Sequence, residues 1–92
     1  MKQLGHLFSP GDLVQSREPG VFNISALRPH DITAKAGAGL QVAGDVGLVL
    51  SCHTWRAGMS GQYQFYVLLI HNSAFVVDEC ELKSWSNSAG AE

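Results

Sequence analysis

The chain has 92 residues; aliphatic, aromatic and Cys residues make up 46% of it, charged residues 15%, and Gly ten positions. That length suits one domain and excludes a multidomain enzyme with its own cofactor module, and the apolar fraction excludes a disordered chain. Six Lys and Arg against eight Asp and Glu give a net charge of −2, without the basic excess of a dedicated nucleic-acid binder.

The chain opens with a lead-in, residues 1–10, that has neither a long apolar core nor a small-residue cleavage pattern. It does not read as a secretion signal, so synthesis in the cytoplasm is expected. Ser9-Pro10-Gly11-Asp12 is a turn: Pro presets φ at its second position and Gly accepts positive φ at its third. A short strand is expected over 12–15 and a second over 21–25, after the turn at Glu18-Pro19-Gly20. Residues 16–44 form a long excursion. Ala36, Gly37, Ala38 and Gly39 are its expected mobile tip, and Leu40-Gln41-Val42 alternates like a strand end.

Residues 45–52 predict a better strand. Val46, Leu48, Leu50 and Cys52 share one face, with Gly47, Val49 and Ser51 on the other. Gly47 within it signals a bulge, a bend or a close backbone approach. Residues 53–61 read as loop from their Gly and Ser content, and residues 62–71 as the longest strand. Asn72-Ser73 is the expected hairpin turn, with the partner strand at 74–77. Asp78 and Glu81 stand at a capping-box spacing around a single helical turn. Residues 82–85 close the fold and 86–92 form a small polar tail.

No segment shows helical periodicity beyond one turn, and none approaches the ~18 apolar residues that span a bilayer. The fold class is all-β. At this length a small closed or partly open barrel is expected, because closure removes aggregation-prone edges.

Gly11-Asp12-Leu13-Val14, a long excursion, Gly47-Leu48-Val49-Leu50, Tyr66-Val67-Leu68-Leu69-Ile70, Phe75-Val76-Val77 and Asp78-Glu79-Cys80-Glu81-Leu82 follow one another in that order. This order resembles small SH3-like β-barrels, and most of all short structural proteins of tailed bacteriophages. The resemblance covers about residues 11–85. It implies an SH3-like barrel with one short helical turn and a long arm. The Gly/Ala-rich excursion and the Asn72-Ser73 turn depart from the usual pattern. The paired-Tyr motif of peptide-binding SH3 domains is absent early in the chain.

Candidate chemistry is sparse. Cys52 and Cys80 are too few for a disulfide scaffold and read as free thiols of a reducing compartment, with a single bridge left open. Cys52 and His53 are neighbours that a strand would point to opposite faces, so they make no nucleophile–base pair. With His71 and Cys80 they lack the close ligand pairs of a zinc site. Asp78, Glu79 and Glu81 read as a solvated cap rather than as converging catalytic carboxylates. No P-loop, dinucleotide fingerprint or nucleophile elbow is present, so no enzyme, cofactor, metal or small-molecule substrate is expected.

The strand 62–70 is apolar on both faces: Tyr63, Phe65, Val67 and Leu69 on one, Tyr66, Leu68 and Ile70 on the other. One row fills a core; the other must be covered by the excursion, the tails or another chain. Gln62 and Gln64 begin the even row, which places Tyr66, Leu68 and Ile70 outward. These three, the arm Ala36, Gly37, Ala38 and Gly39, and Trp55 form the expected interface. The expected function is a non-enzymatic assembly subunit, a phage virion component contacting itself or other virion proteins. An adaptor barrel binding a host protein or nucleic acid, with Trp55, Arg56 and Tyr63 as a weak stacking platform, is the alternative.

Overall fold

The structure, a computed structural model, describes residues 6–25, 34–35, 39–56 and 61–85. Turn residues cut the chain into short extended pieces. These are β1 (Leu13–Ser16), β2 (Val21–Asn23), β3 (Gln41–Ala43), β4 (Gly47–Arg56), β5 (Gln62–Ile70), β6 (Ser73–Asp78) and β7 (Leu82–Ser84), with a 3-10 turn at Glu79–Glu81 before β7. The strands make a five-stranded sheet in the order β6-β5-β4-β1-β7 and a two-stranded sheet of β2 and β3. All strand pairs are antiparallel. The fold is all-β, but the ladder does not close into the expected barrel: β6 and β7 are its two edges.

Three local expectations are corrected. β4 continues through Arg56, so His53, Thr54 and Trp55 are strand residues, each paired across to β5. The β5–β6 turn is His71-Asn72 rather than Asn72-Ser73; both carry positive φ, 51° and 69°, the signature of a two-residue hairpin whose twist matches its strands. Asp78 does not cap the 3-10 turn with its side chain. Its carboxylate instead accepts the Ser25 hydroxyl at 3.0 Å.

The register of β4 shifts between Val49 and Ser51. Leu50 is the extra residue, so Val49 and Cys52 face the core together and Leu50 does not, which corrects the single-face alternation expected for this strand. Gly47 lies just before the bulge, where a Cβ would stand 3.2 Å from Leu68 Cδ1. Its role is the close approach of β4 to the core side chains of Leu68 and Ile70.

The main core lies between the five-stranded sheet and the antiparallel β2–β3 pair. Val14, Val49, Tyr66, Leu68, Ile70, Val77 and Leu82 meet Phe22 and Ile24 from the excursion. The described part of the excursion therefore supplies part of the core. It also guards one sheet edge, because Ser25 N–H donates to Val76 O, Lys35 N–H to Ala74 O, and Val76 N–H to Lys35 O. These bonds satisfy β6 backbone groups that would otherwise template another strand.

The lead-in is also built into the core: His6 and Phe8 are buried and edge-on to the Tyr66 ring, at 5.5 and 5.4 Å between centroids. The Tyr66 hydroxyl accepts Leu7 N–H at 3.1 Å and Phe8 N–H at 3.3 Å and donates to Glu79 Oε2. Cys52 Sγ donates to Phe8 O, and His6 Nε2 donates to His53 O. Together these bonds strap residues 6–8 to the middle of β4 and β5 and to the 3-10 turn.

Candidate functional site: the outer face of the sheet

The structure reverses the expected orientation of β5. Tyr66 and Leu68 are 0% exposed and Ile70 is 1% exposed, all inside the main core. These three are corrected from interface to interior. The odd row faces outward, and the cross-strand register names its neighbours. One row across four strands is Leu13, Leu48, Leu69 and Ala74; the next is Ser51, Val67 and Val76; the next is His53, Phe65 and Asp78; the last is Trp55 and Tyr63.

This outer face has three zones. In the middle, Phe65, Val67 and Val76 are buried, with Ala34 and Ala74 packed against them. Here the excursion contributes to the cover of the second apolar row. At one end, Leu13 and Leu50 are 44% and 42% exposed beside half-buried Leu48 and Leu69. At the other end, Trp55 and Tyr63 are 40% and 43% exposed, with ring centroids 6.0 Å apart. Trp55 is thus an exposed residue of this face. Gly39 is exposed at positive φ, with nothing within 4 Å of a Cβ. Ala36, Gly37 and Ala38 lie outside the described residues. Sequence reasoning missed Leu13, Leu48, Leu50 and Leu69 as outer-surface residues because the phase of β5 and the bulge in β4 were both misjudged.

Polar chemistry on this face is modest. His53 stacks on Phe65 at 5.2 Å and hydrogen-bonds Ser51 Oγ through Nε2 at 2.7 Å. Burial, and then the neighbouring His6, lower the His53 pKa, so the ring is neutral at pH 7. Ser51 and His53 are two apart on one strand, so the pleat alone brings them together. Cys52 points to the opposite face.

A shallow groove at the sheet end is lined by Gln62, Tyr63, Gln64, Asp78, Glu79 and Cys80. Burial raises the Asp78 pKa, offset in part by the Ser25 bond and reinforced by Glu81. Burial also pushes up the thiols of Cys80 and Cys52, with nearby carboxylates adding to it. Both are free thiols held in the protonated, poorly nucleophilic form. Burial and the Glu79 bond likewise push the Tyr66 phenol well above its usual range.

Among the described residues no group of three or more His, Cys, Asp or Glu is placed to hold a metal ion, and no helix is long and apolar enough to cross a membrane. No protein-family model, curated protein or solved structure matches the chain.

Proposed function

We propose that the protein is a non-enzymatic assembly subunit whose outer sheet face contacts another chain. The observation that carries this is the leucine end of that face, where Leu13 stands exposed in register with half-buried Leu48 and Leu69, and the bulge residue Leu50 is exposed beside them. A contiguous apolar patch on a chain this poor in charge favours association. The SH3-like reading is supported by the strand order β6-β5-β4-β1-β7, by the excursion between β1 and β4, and by the 3-10 turn before β7. The virion part of the proposal rests on the resemblance to short structural proteins of tailed bacteriophages. The nucleic-acid alternative has one observation in its favour, the exposed Trp55–Tyr63 pair beside Arg56. The carboxylates of Asp78 and Glu79 at the same end weigh against it.

The test is the composition of purified particles made by the genome that encodes the chain. The chain is expected in them at a fixed copy number, and a folded Leu13→Asp/Leu50→Asp double variant is expected to be left out. Absence of the chain from particles, or incorporation of the double variant at the wild-type level, overturns the proposal. A salt-sensitive gel shift that is lost in Trp55→Ala would favour the nucleic-acid reading instead.

A further inference from the structure

We propose that residues 6–8 form an acid-sensitive latch: uptake of a proton on His6 Nδ1 frees the segment from β4, β5 and the 3-10 turn and uncovers Cys52 and Tyr66.

The tautomer of His6 follows from its hydrogen bond. Nε2 lies 2.8 Å from His53 O. A carbonyl oxygen can only accept, so Nε2 carries the proton of the neutral ring and Nδ1 is bare. His6 is 8% exposed, and its Nδ1 is buried with no partner among the described residues. A second proton has one place to go on this ring. There it makes a buried, charged N–H that nothing accepts, which destabilises the closed segment. Water accepts the same N–H once the segment lifts away.

The titratable groups around His6, among the described residues, come from four elements. On β4, a charge on the His53 ring and a charge on His6 oppose each other. Cys52, whose Sγ donates to Phe8 O, is a neutral thiol. On β5, the Tyr66 ring meets His6 edge-to-face, and its phenol is neutral because burial pushes it up. Glu79 of the 3-10 turn is the carboxylate that would attract an imidazolium. Its Oε2 already accepts Leu7 N–H and the Tyr66 hydroxyl, and it makes no bond to Nδ1. Asp12, in the turn that follows, accepts Ser9 N–H.

The segment is also placed to open by itself. The buried side-chain polar atoms without a partner among the described residues are His6 Nδ1 and Ser9 Oγ, both in this stretch. Beyond it the chain is pinned: Gly11 N–H donates to Val49 O, Asp12 N–H donates to Ser9 O, and Val14 enters the core. Release therefore stops at the turn. Imidazole changes charge under mild acid, so the sheet stays folded while the latch opens.

The experiment is amide hydrogen exchange of the full chain, read residue by residue by NMR from about pH 7 to about pH 5, with each rate corrected for its intrinsic pH dependence. Phe8 N–H, which the Tyr66 hydroxyl oxygen accepts, is expected to lose protection by at least about tenfold toward the acid end. Val67 N–H, in the middle of β5, is expected to keep its own. In His6→Gln the side-chain amide stands in for Nε2–H but takes up no proton, so Phe8 protection is expected to be constant across the range. Should that variant fail to fold, the His6 ring titration in the wild type decides, because its midpoint must coincide with that of Phe8 deprotection. Constant Phe8 protection in the wild type, loss at Val67 in step with Phe8, a folded His6→Gln variant that loses protection as the wild type does, or midpoints that differ overturns the proposal.

Discussion

Replacing Tyr66 by Phe removes one oxygen and tests which row of β5 is inside. That oxygen accepts the N–H groups of Leu7 and Phe8 and donates to Glu79 Oε2. Without it Phe8 N–H is left buried and loses its acceptor, while Leu7 N–H keeps Glu79 at 3.1 Å. An orphaned buried donor costs about 1–3 kcal/mol, and the lost bond to Glu79 adds to this, reduced because half-exposed Glu79 regains water. The sum is about 2–3 kcal/mol, or about 10–20 °C in Tm for a domain of this size. The assay is thermal unfolding followed by circular dichroism, paired with urea titration. A fall in the urea midpoint at constant slope locates the loss in the native state. A Y66F variant within about 0.5 kcal/mol of wild type behaves as a surface site does and refutes the inward placement of the even row.

Three further predictions rest on the same geometry. Leu68→Ala is expected to cost about 2–5 kcal/mol because Leu68 is fully buried, whereas half-buried Leu69→Ala costs less than half as much in the same urea titration; equal costs would contradict the register. Asp78 has a folded pKa raised above its ordinary 3.8, so its acid form favours folding, and that contribution is lost as pH rises through the raised folded value. Urea titrations across pH 3–7 are therefore expected to show D78N gaining on wild type as pH rises, and a difference independent of pH refutes it. His53 has the opposite sign: its folded pKa is lowered from 6.5, so stability is present above that value and is lost as pH falls through the folded pKa. H53Q flattens that acid limb if the reasoning holds.

Much of the strand layout was legible in the chain. The turns at Ser9-Pro10-Gly11-Asp12 and Glu18-Pro19-Gly20 mark breaks that the structure keeps. The start of β5 follows directly on Gly61, and its end is set by the turn at His71-Asn72, since no Gly or Pro stands between Gln62 and Ala89. The end of β4 was not legible, because Gly and Ser just beyond Arg56 give the whole of 53–61 a loop composition. Cross-strand partners on β5 hold His53, Thr54 and Trp55 extended regardless. The candidate site suffered more. Gln62 and Gln64 suggested that the even row of β5 faces water. Those two lie at the far end of the strand, where Gln64 pairs with Thr54 and accepts its hydroxyl. Tyr66, the next residue of that row, is already under the strap of residues 6–8.

The chain by itself determined that the protein is all-β, that its strands are short, and that β5 is apolar on both faces. Only the tertiary structure decided which face is the core. An alternating pattern specifies two faces but is silent on what lies against them when both are apolar. That choice came from contacts distant in sequence: Phe22 and Ile24 from the excursion against one face, Ala34 against the other, and a one-residue bulge at Leu50 that shifts half of β4 in phase. The exposed side chains at the two ends of the outer face, Leu13 and Leu50 at one and Trp55 and Tyr63 at the other, are the remainder of that choice.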